Sequence, residues 1–173
     1  MGPLFAVLVV VLVLALAALA WRGRRGAATA DANAAAPSDV DDELRAVFLA
    51  EARGEIGHLR RGLPRWRLDP HDIERAVPLR RAFHTLKGSG RLVGANALGD
   101  FSAKLEQVLL RVVDGTLAPG PEVVDVVTRA VALLPGLVAE FAGERGAGTH
   151  VAAVGRAAER LVAGAAAVPP GTR

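Results

Sequence analysis

The sequence predicts an all-α protein, an antiparallel four-helix bundle preceded by a single transmembrane helix. Three observations carry that expectation. Apolar residues recur at spacings of three and four through successive segments, and no stretch alternates with the period of two that marks a strand. The composition is 51% hydrophobic with only 4% aromatics, which suits an aliphatic helical core. Residues 4–21, LFAVLVVVLVLALAALAW, are an unbroken apolar run. As a helix this run is about 27 Å long, close to the hydrocarbon thickness of a bilayer.

Trp21 stands where an interfacial aromatic belongs, and Arg22, Arg24 and Arg25 follow it. Those cations favour the cytoplasmic side, which places the N-terminus outside and the rest of the chain inside. A cleaved signal peptide is the rival for this segment, with ATA at 28–30 imitating a cleavage site. Only Met1, Gly2 and Pro3 precede the run, so the basic n-region is missing, and the run exceeds an ordinary h-region. The anchor is the better reading. Residues 22–38 are its basic flank and an alanine-rich flexible linker with nothing to pack.

The bundle is expected over residues 39–142. Ser38 or Asp39 can cap a first helix, with Asp41, Asp42 and Glu43 at the positive end of its dipole. Leu44, Val47, Phe48 and Ala52 begin its stripe. Ile56, Leu59 and Leu63 continue it, in the same helix bent near Gly54 and Gly57 or in a second one. Asp69-Pro70 reads as a cap and first helical position, and Pro78 as the first turn of the next helix. Leu79, Phe83, Leu86 and Gly90 form one face of that helix, and Gly94 stops it. A further stripe runs from Leu98 through Phe101, Leu105, Val108 or Leu109, and Val112 to the turn dipeptide Asp114-Gly115. Pro121 opens a helix lined by Val124, Val127, Val131, Leu134, Val138 and Phe141, with a kink expected at Pro135. Residues 143–173 are expected as a flexible tail, with an additional helix at 150–164 that Thr149 can cap.

Charge and residue usage exclude several function classes. The chain has no cysteine, which removes disulfide frameworks and thiolate metal sites. Its net charge is +3, but residues 39–143 hold 14 Lys+Arg against 15 Asp+Glu, a balance of −1. That near-neutral balance argues against nucleic acid as a partner. A metal-dependent hydrolase built on His58, His71, His84 and His150 is disfavoured, because their spacing matches no helical ligand pair.

The stretch RRAFHTLKGSGRLVGA, residues 80–95, is the least ordinary part of the chain. At 100° per residue its apolar face carries Leu79, Phe83, Leu86 and Gly90, and a second face carries Arg80, His84, Lys87, Gly88 and Arg91. His84 therefore points away from the core, among cations. Lys87, one turn on, favours a neutral imidazole, the form that attacks phosphorus, and attracts a phosphoryl group. Gly88 removes a side chain beside the ring and opens it to another protein. Arg80, Lys87 and Arg91 suit an acidic partner surface. Thr85 and Ser89 read as permissive small polar residues. Gln107, on the following helix, is a candidate to reach the other ring nitrogen and fix its tautomer.

HTLKGSGRLVGA resembles the signature of histidine phosphotransfer (HPt) domains, with His84, Lys87 and Gly88 on its chemistry-bearing positions and Gly94 on its helix-closing glycine. The resemblance spans about residues 39–142 and includes the acidic helix DDELRAVFLAEA. The fuller string is similar to HPt modules of chemotaxis-type hybrid kinases of pilus motility. It implies a two-component phosphorelay protein; the apolar run at 4–21 and the arginines after it, not the resemblance, predict a bacterial inner-membrane location with the C-terminal domain cytoplasmic. His84 would be the phosphoacceptor and Lys87 the residue offsetting phosphoryl charge, while Arg80, Gly88 and Arg91 would bind the partner. That partner would be a response-regulator receiver domain or a hybrid histidine kinase, with Mg²⁺ supplied by the receiver and no cofactor bound by this chain. No ATP-binding kinase module is recognisable, so a phosphoryl carrier rather than an enzyme is expected. The alternative is a membrane-tethered docking module that sequesters a receiver domain or kinase without phosphate turnover.

Overall fold

A computed structural model describes residues 39–144, 148 and 150–166. The expected transmembrane helix at 4–21 and the linker at 22–38 lie outside the described residues. Among the described residues no helix is long and apolar enough to cross a membrane.

Helix α1, Asp39–Leu68, is a single helix of 30 residues, about 45 Å long. Gly54 and Gly57 do not divide it. Phe48, Ala52, Ile56, Leu59, Leu63 and Trp66 are buried along it at spacings of three and four, which keeps one face on the core over five turns. Val47, expected in this stripe, is 45% exposed. Trp66 was not singled out by the periodicity, yet it is fully buried and its Nε1–H donates to Pro70 O at 3.1 Å. Pro64 lies on the exposed side, where water can satisfy the carbonyl that its missing N–H leaves unpaired.

Helix α2, Ile73–Leu92, starts after Asp72 rather than at Pro70. Residues 69–72 form a turn held by Asp72 N–H to Asp69 O, and Pro78 sits inside the helix, not in its first turn. Its C-terminus closes on Gly94, at φ +80°, which few residues other than glycine adopt. Ala95 N–H reaches back to Gly90 O at 2.8 Å and Gly94 N–H to Arg91 O at 3.4 Å, the paired bonds of a Schellman stop. Three residues later the chain is helical again.

Helix α3, Asn96–Val113, buries both Val108 and Leu109 together with Leu98, Phe101, Leu105 and Val112. It ends at Asp114 with Gly115 at φ +74°. Helix α4, Pro121–Phe141, has Gly120 as N-cap and Pro121 at its first position, and it runs through Pro135. The segment expected as a flexible tail holds helix α5, His150–Ala166, which buries Val154 and Ala158. Lys104 of α3 and Glu159 of α5 pair at 2.8 Å.

The helices pack as a ring in which α1 touches α2, α2 touches α3, α3 touches α4 and α4 touches α1, with α5 seated against α3 and α4. Phe48 and Phe141 meet edge to face, with centroids 5.3 Å apart, and Arg45 lies over the Phe141 ring. Helices α2 and α3 approach closely where two glycines face each other. A Cβ on Gly90 would lie 3.4 Å from Ala95 O and from Gly99 N, and a Cβ on Gly99 would lie 3.0 Å from Arg91 Cγ.

Candidate functional site

His84 stands midway along α2, on the face opposite the buried Leu79, Phe83 and Leu86. Its side chain is 62% exposed. The ring is nevertheless held, because Nδ1 lies 2.7 Å from Glu106 Oε1 on α3. The other oxygen, Oε2, lies 2.6 Å from Lys87 Nζ. One carboxylate, only 7% exposed, thus joins the two residues singled out from the motif. The helical rise stacks His84 and Lys87 on one side of α2, and the glycine contact between Gly90 and Gly99 brings α3 near enough for Glu106 to span them.

The charge state of Glu106 decides the tautomer of His84. Burial works to raise its pKa, but the hydrogen bonds and charges of Lys87 and His84 outweigh that and hold the carboxyl below its usual range. An ionised carboxylate only accepts hydrogen bonds, so the ring nitrogen facing it must carry the proton. In the neutral ring Nδ1–H therefore donates to Glu106, and Nε2 carries the lone pair.

The remaining sequence-chosen residues divide. Gly88 is exposed, and a Cβ there would meet nothing within 4 Å, so the surface beside His84 is open. Arg91 does not stand free, since its Nη2 is 2.8 Å from Asp100 Oδ1. Arg80, one turn before His84, is half-buried, and its Nε has no hydrogen-bond partner among the described residues. Lys87 is ion-paired rather than free, so its charge reaches His84 through a shared carboxylate. Gln107, expected to fix the tautomer, is exposed on the side of α3 that borders α5; its neighbour Glu106 takes that position instead. Ser89 Oγ–H donates to Thr85 O at 2.9 Å, a bond inside the helix.

Sequence reasoning missed Glu106, although a signal existed. It follows Leu105 and lies four residues after Ser102, on the side of α3 whose residues are buried. A carboxylate at a buried helical position needs a cationic or donor partner, and the neighbouring helix offers His84 and Lys87 one turn apart. The other histidines are dispersed, on α1, in the turn after it and at the start of α5. Among the described residues no group of three or more His, Cys, Asp or Glu side chains could hold a metal ion.

A ring of helices in which His84, alone among the exposed histidines of the described residues, is oriented from behind by a buried carboxylate defines a helical module built around one positioned histidine. The chain belongs to the Hpt domain family, whose model matches residues 43–142. Helix α5 lies beyond that match. Among solved structures the chain is similar to the phosphorylated P1 domain of CheA3 in complex with CheY6 from R. sphaeroides. The two share 21% identity at a TM-score of 0.63, over 72% of this chain and 98% of that one. At this identity the likeness is one of fold. No curated protein sequence matches the chain.

Proposed function

We propose that the chain is a phosphoryl carrier in a two-component phosphorelay, with His84 exchanging a phosphoryl group with the aspartate of a response-regulator receiver domain. The observation that carries this reading is the 2.7 Å contact of His84 Nδ1 with Glu106, which leaves Nε2 as an exposed nucleophile. Membership of the Hpt family supports it, as does the similar fold of a P1 domain captured phosphorylated and in complex with CheY6.

In the forward step the Nε2 lone pair attacks the phosphorus of an aspartyl phosphate. An N–P bond forms, the P–O bond to the acyl oxygen breaks, and the receiver aspartate leaves as a carboxylate. The ring keeps its Nδ1 proton and becomes cationic, and Glu106 stabilises that developing charge without any proton having to move. Lys87 holds Glu106 ionised and in place, so it acts on the ring through the carboxylate. Arg80 offers a guanidinium one turn away for the phosphoryl oxygens or an acidic receiver edge. Mg²⁺ is assigned to the receiver. The segment at 4–21, with Arg22, Arg24 and Arg25, is assigned as an anchor in the bacterial inner membrane with the bundle cytoplasmic.

The test uses the full chain and phosphorylated receiver domains. Wild type is expected to take up acid-labile phosphate on His84, and His84→Gln to take up none. A wild-type protein that binds receivers yet never acquires phosphate would leave a docking module that sequesters its partner.

A further inference from the structure

The solvent side of α1 carries a charge distribution that the phosphotransfer site does not use. Arg53, Arg60, Arg61, Arg65 and Arg67 are all exposed, and none is ion-paired with an acid among the described residues. No exposed position of α1 from Ala46 to Leu68 is acidic. The two acids in that stretch, Glu51 and Glu55, are half-buried, and Glu51 lies toward Ser89 of α2. The near-neutral balance of the bundle therefore conceals a segregated basic face. Gly57 leaves room for the Arg61 guanidinium, whose Nη1 lies 3.2 Å from where a Cβ on Gly57 would stand.

The position of this face matters as much as its charge. Arg53 and Arg60 border a groove shared with Pro135, Val138 and Ala139 of α4. Glu144 is the acid at that groove and pairs with neither arginine. In the ring of helices the α1–α4 side is across from the α2–α3 side, where His84 and Glu106 meet. Whatever binds the arginines leaves His84 uncovered.

We infer that the outer face of α1 docks on the headgroups of an anionic lipid bilayer, with His84 turned away from the membrane. The inference rests on the anchor reading of residues 4–21, and on that reading the sequence favours lipid over other polyanions. An 18-residue apolar run ends in three arginines at Arg22, Arg24 and Arg25, and Arg25 is 14 residues from the start of α1 at Asp39. Even fully extended, that link spans only about 50 Å. A bundle on so short a tether stays within reach of the surface, where each basic residue near anionic headgroups gains about 1 kcal/mol. Docking then fixes the orientation of the bundle at the surface.

The chain has no cysteine, so single labels report cleanly. A probe on Ala50→Cys, on the α1 face, and one on Gln107→Cys, on α3, are compared in the full chain reconstituted into vesicles with a headgroup-borne quencher. One set of vesicles is neutral phosphatidylcholine, and the other contains added phosphatidylglycerol. Quenching at position 50 is expected to rise about tenfold with phosphatidylglycerol and to fall as added salt screens the surface. Position 107 should not respond. Arg53→Glu/Arg60→Glu/Arg67→Glu should abolish the rise while His84 still takes up phosphate, which also reports that the bundle is folded. Equal quenching at position 50 in both vesicles, or a response at 107 as large as at 50, overturns the proposal. So does protection of position 50 by duplex DNA when phosphatidylglycerol has no effect. Retention by neutral vesicles reads the anchor separately, and the wild-type salt titration decides the matter even if the triple variant misfolds.

Discussion

Glu106 concentrates two demands in one side chain, since it must stay ionised in a mostly buried position and must face both His84 and Lys87. Its folded-state pKa lies below its ordinary value. It therefore stabilises the fold at pH values above the unfolded carboxyl's pKa, and that contribution is lost as the pH falls through the folded value. Glu106→Gln keeps the size but removes the charge, leaving Lys87 with no anion in a 25% exposed setting. At about pH 7 the variant is expected to lose about 1–3 kcal/mol in urea denaturation. Below the carboxylate range, at about pH 3, the difference should shrink, because wild type is then protonated as well. Phosphate uptake by His84 should fall too, since an amide that turns its NH₂ toward the ring no longer requires a proton on Nδ1. Equal denaturation midpoints for both proteins at neutral pH would show that the carboxylate is not what holds this site.

The helices α2 and α3 meet through two glycines, and only one was visible in advance. Gly90 fell on the apolar face of a helix, where a missing side chain signals close packing. Gly99 lies in a stripe already satisfied by Leu98 and Phe101, so nothing in the local pattern marked it. Helix ends were legible where a residue has a narrow conformational use, as at Gly94, Asp114-Gly115 and Pro121. The start of α2 was misjudged because Pro78, though within the helix, is exposed, and water can serve the carbonyl it leaves unpaired. His84 and Lys87 were legible from a local motif. Glu106 was not, because its role exists only once a second helix is placed beside the first. Gly99→Val should push α3 from Arg91 and Lys87, destabilising the protein by about 1–3 kcal/mol and slowing phosphate uptake. Gly88→Val, whose Cβ meets nothing, is the control: thermal melting should be unchanged within error while receiver binding weakens. Comparable loss of stability in both variants would contradict the packing assigned to them.

At the scale of the molecule, the fifth helix extends the family's matched region at 43–142 rather than trailing from it. The sequence showed its apolar positions but not what they would cover, because docking depends on the surface left open by α3 and α4. Val154→Asp places a carboxylate in a fully enclosed position and is expected to release α5, at a cost of at least about 2 kcal/mol. Proteolysis between Glu144 and His150 should accelerate while His84 still accepts phosphate; a variant that loses both would mean α5 supports the site itself. That separation is expected because His84, Lys87 and Glu106 all lie on α2 and α3, joined by only three residues around Gly94. Closing so short a loop costs little chain entropy and the contacts it creates are local. The Schellman stop at Gly94 thus has a kinetic consequence. His84 and Glu106 can meet once this one hairpin has formed, without waiting for a contact with α1, α4 or α5.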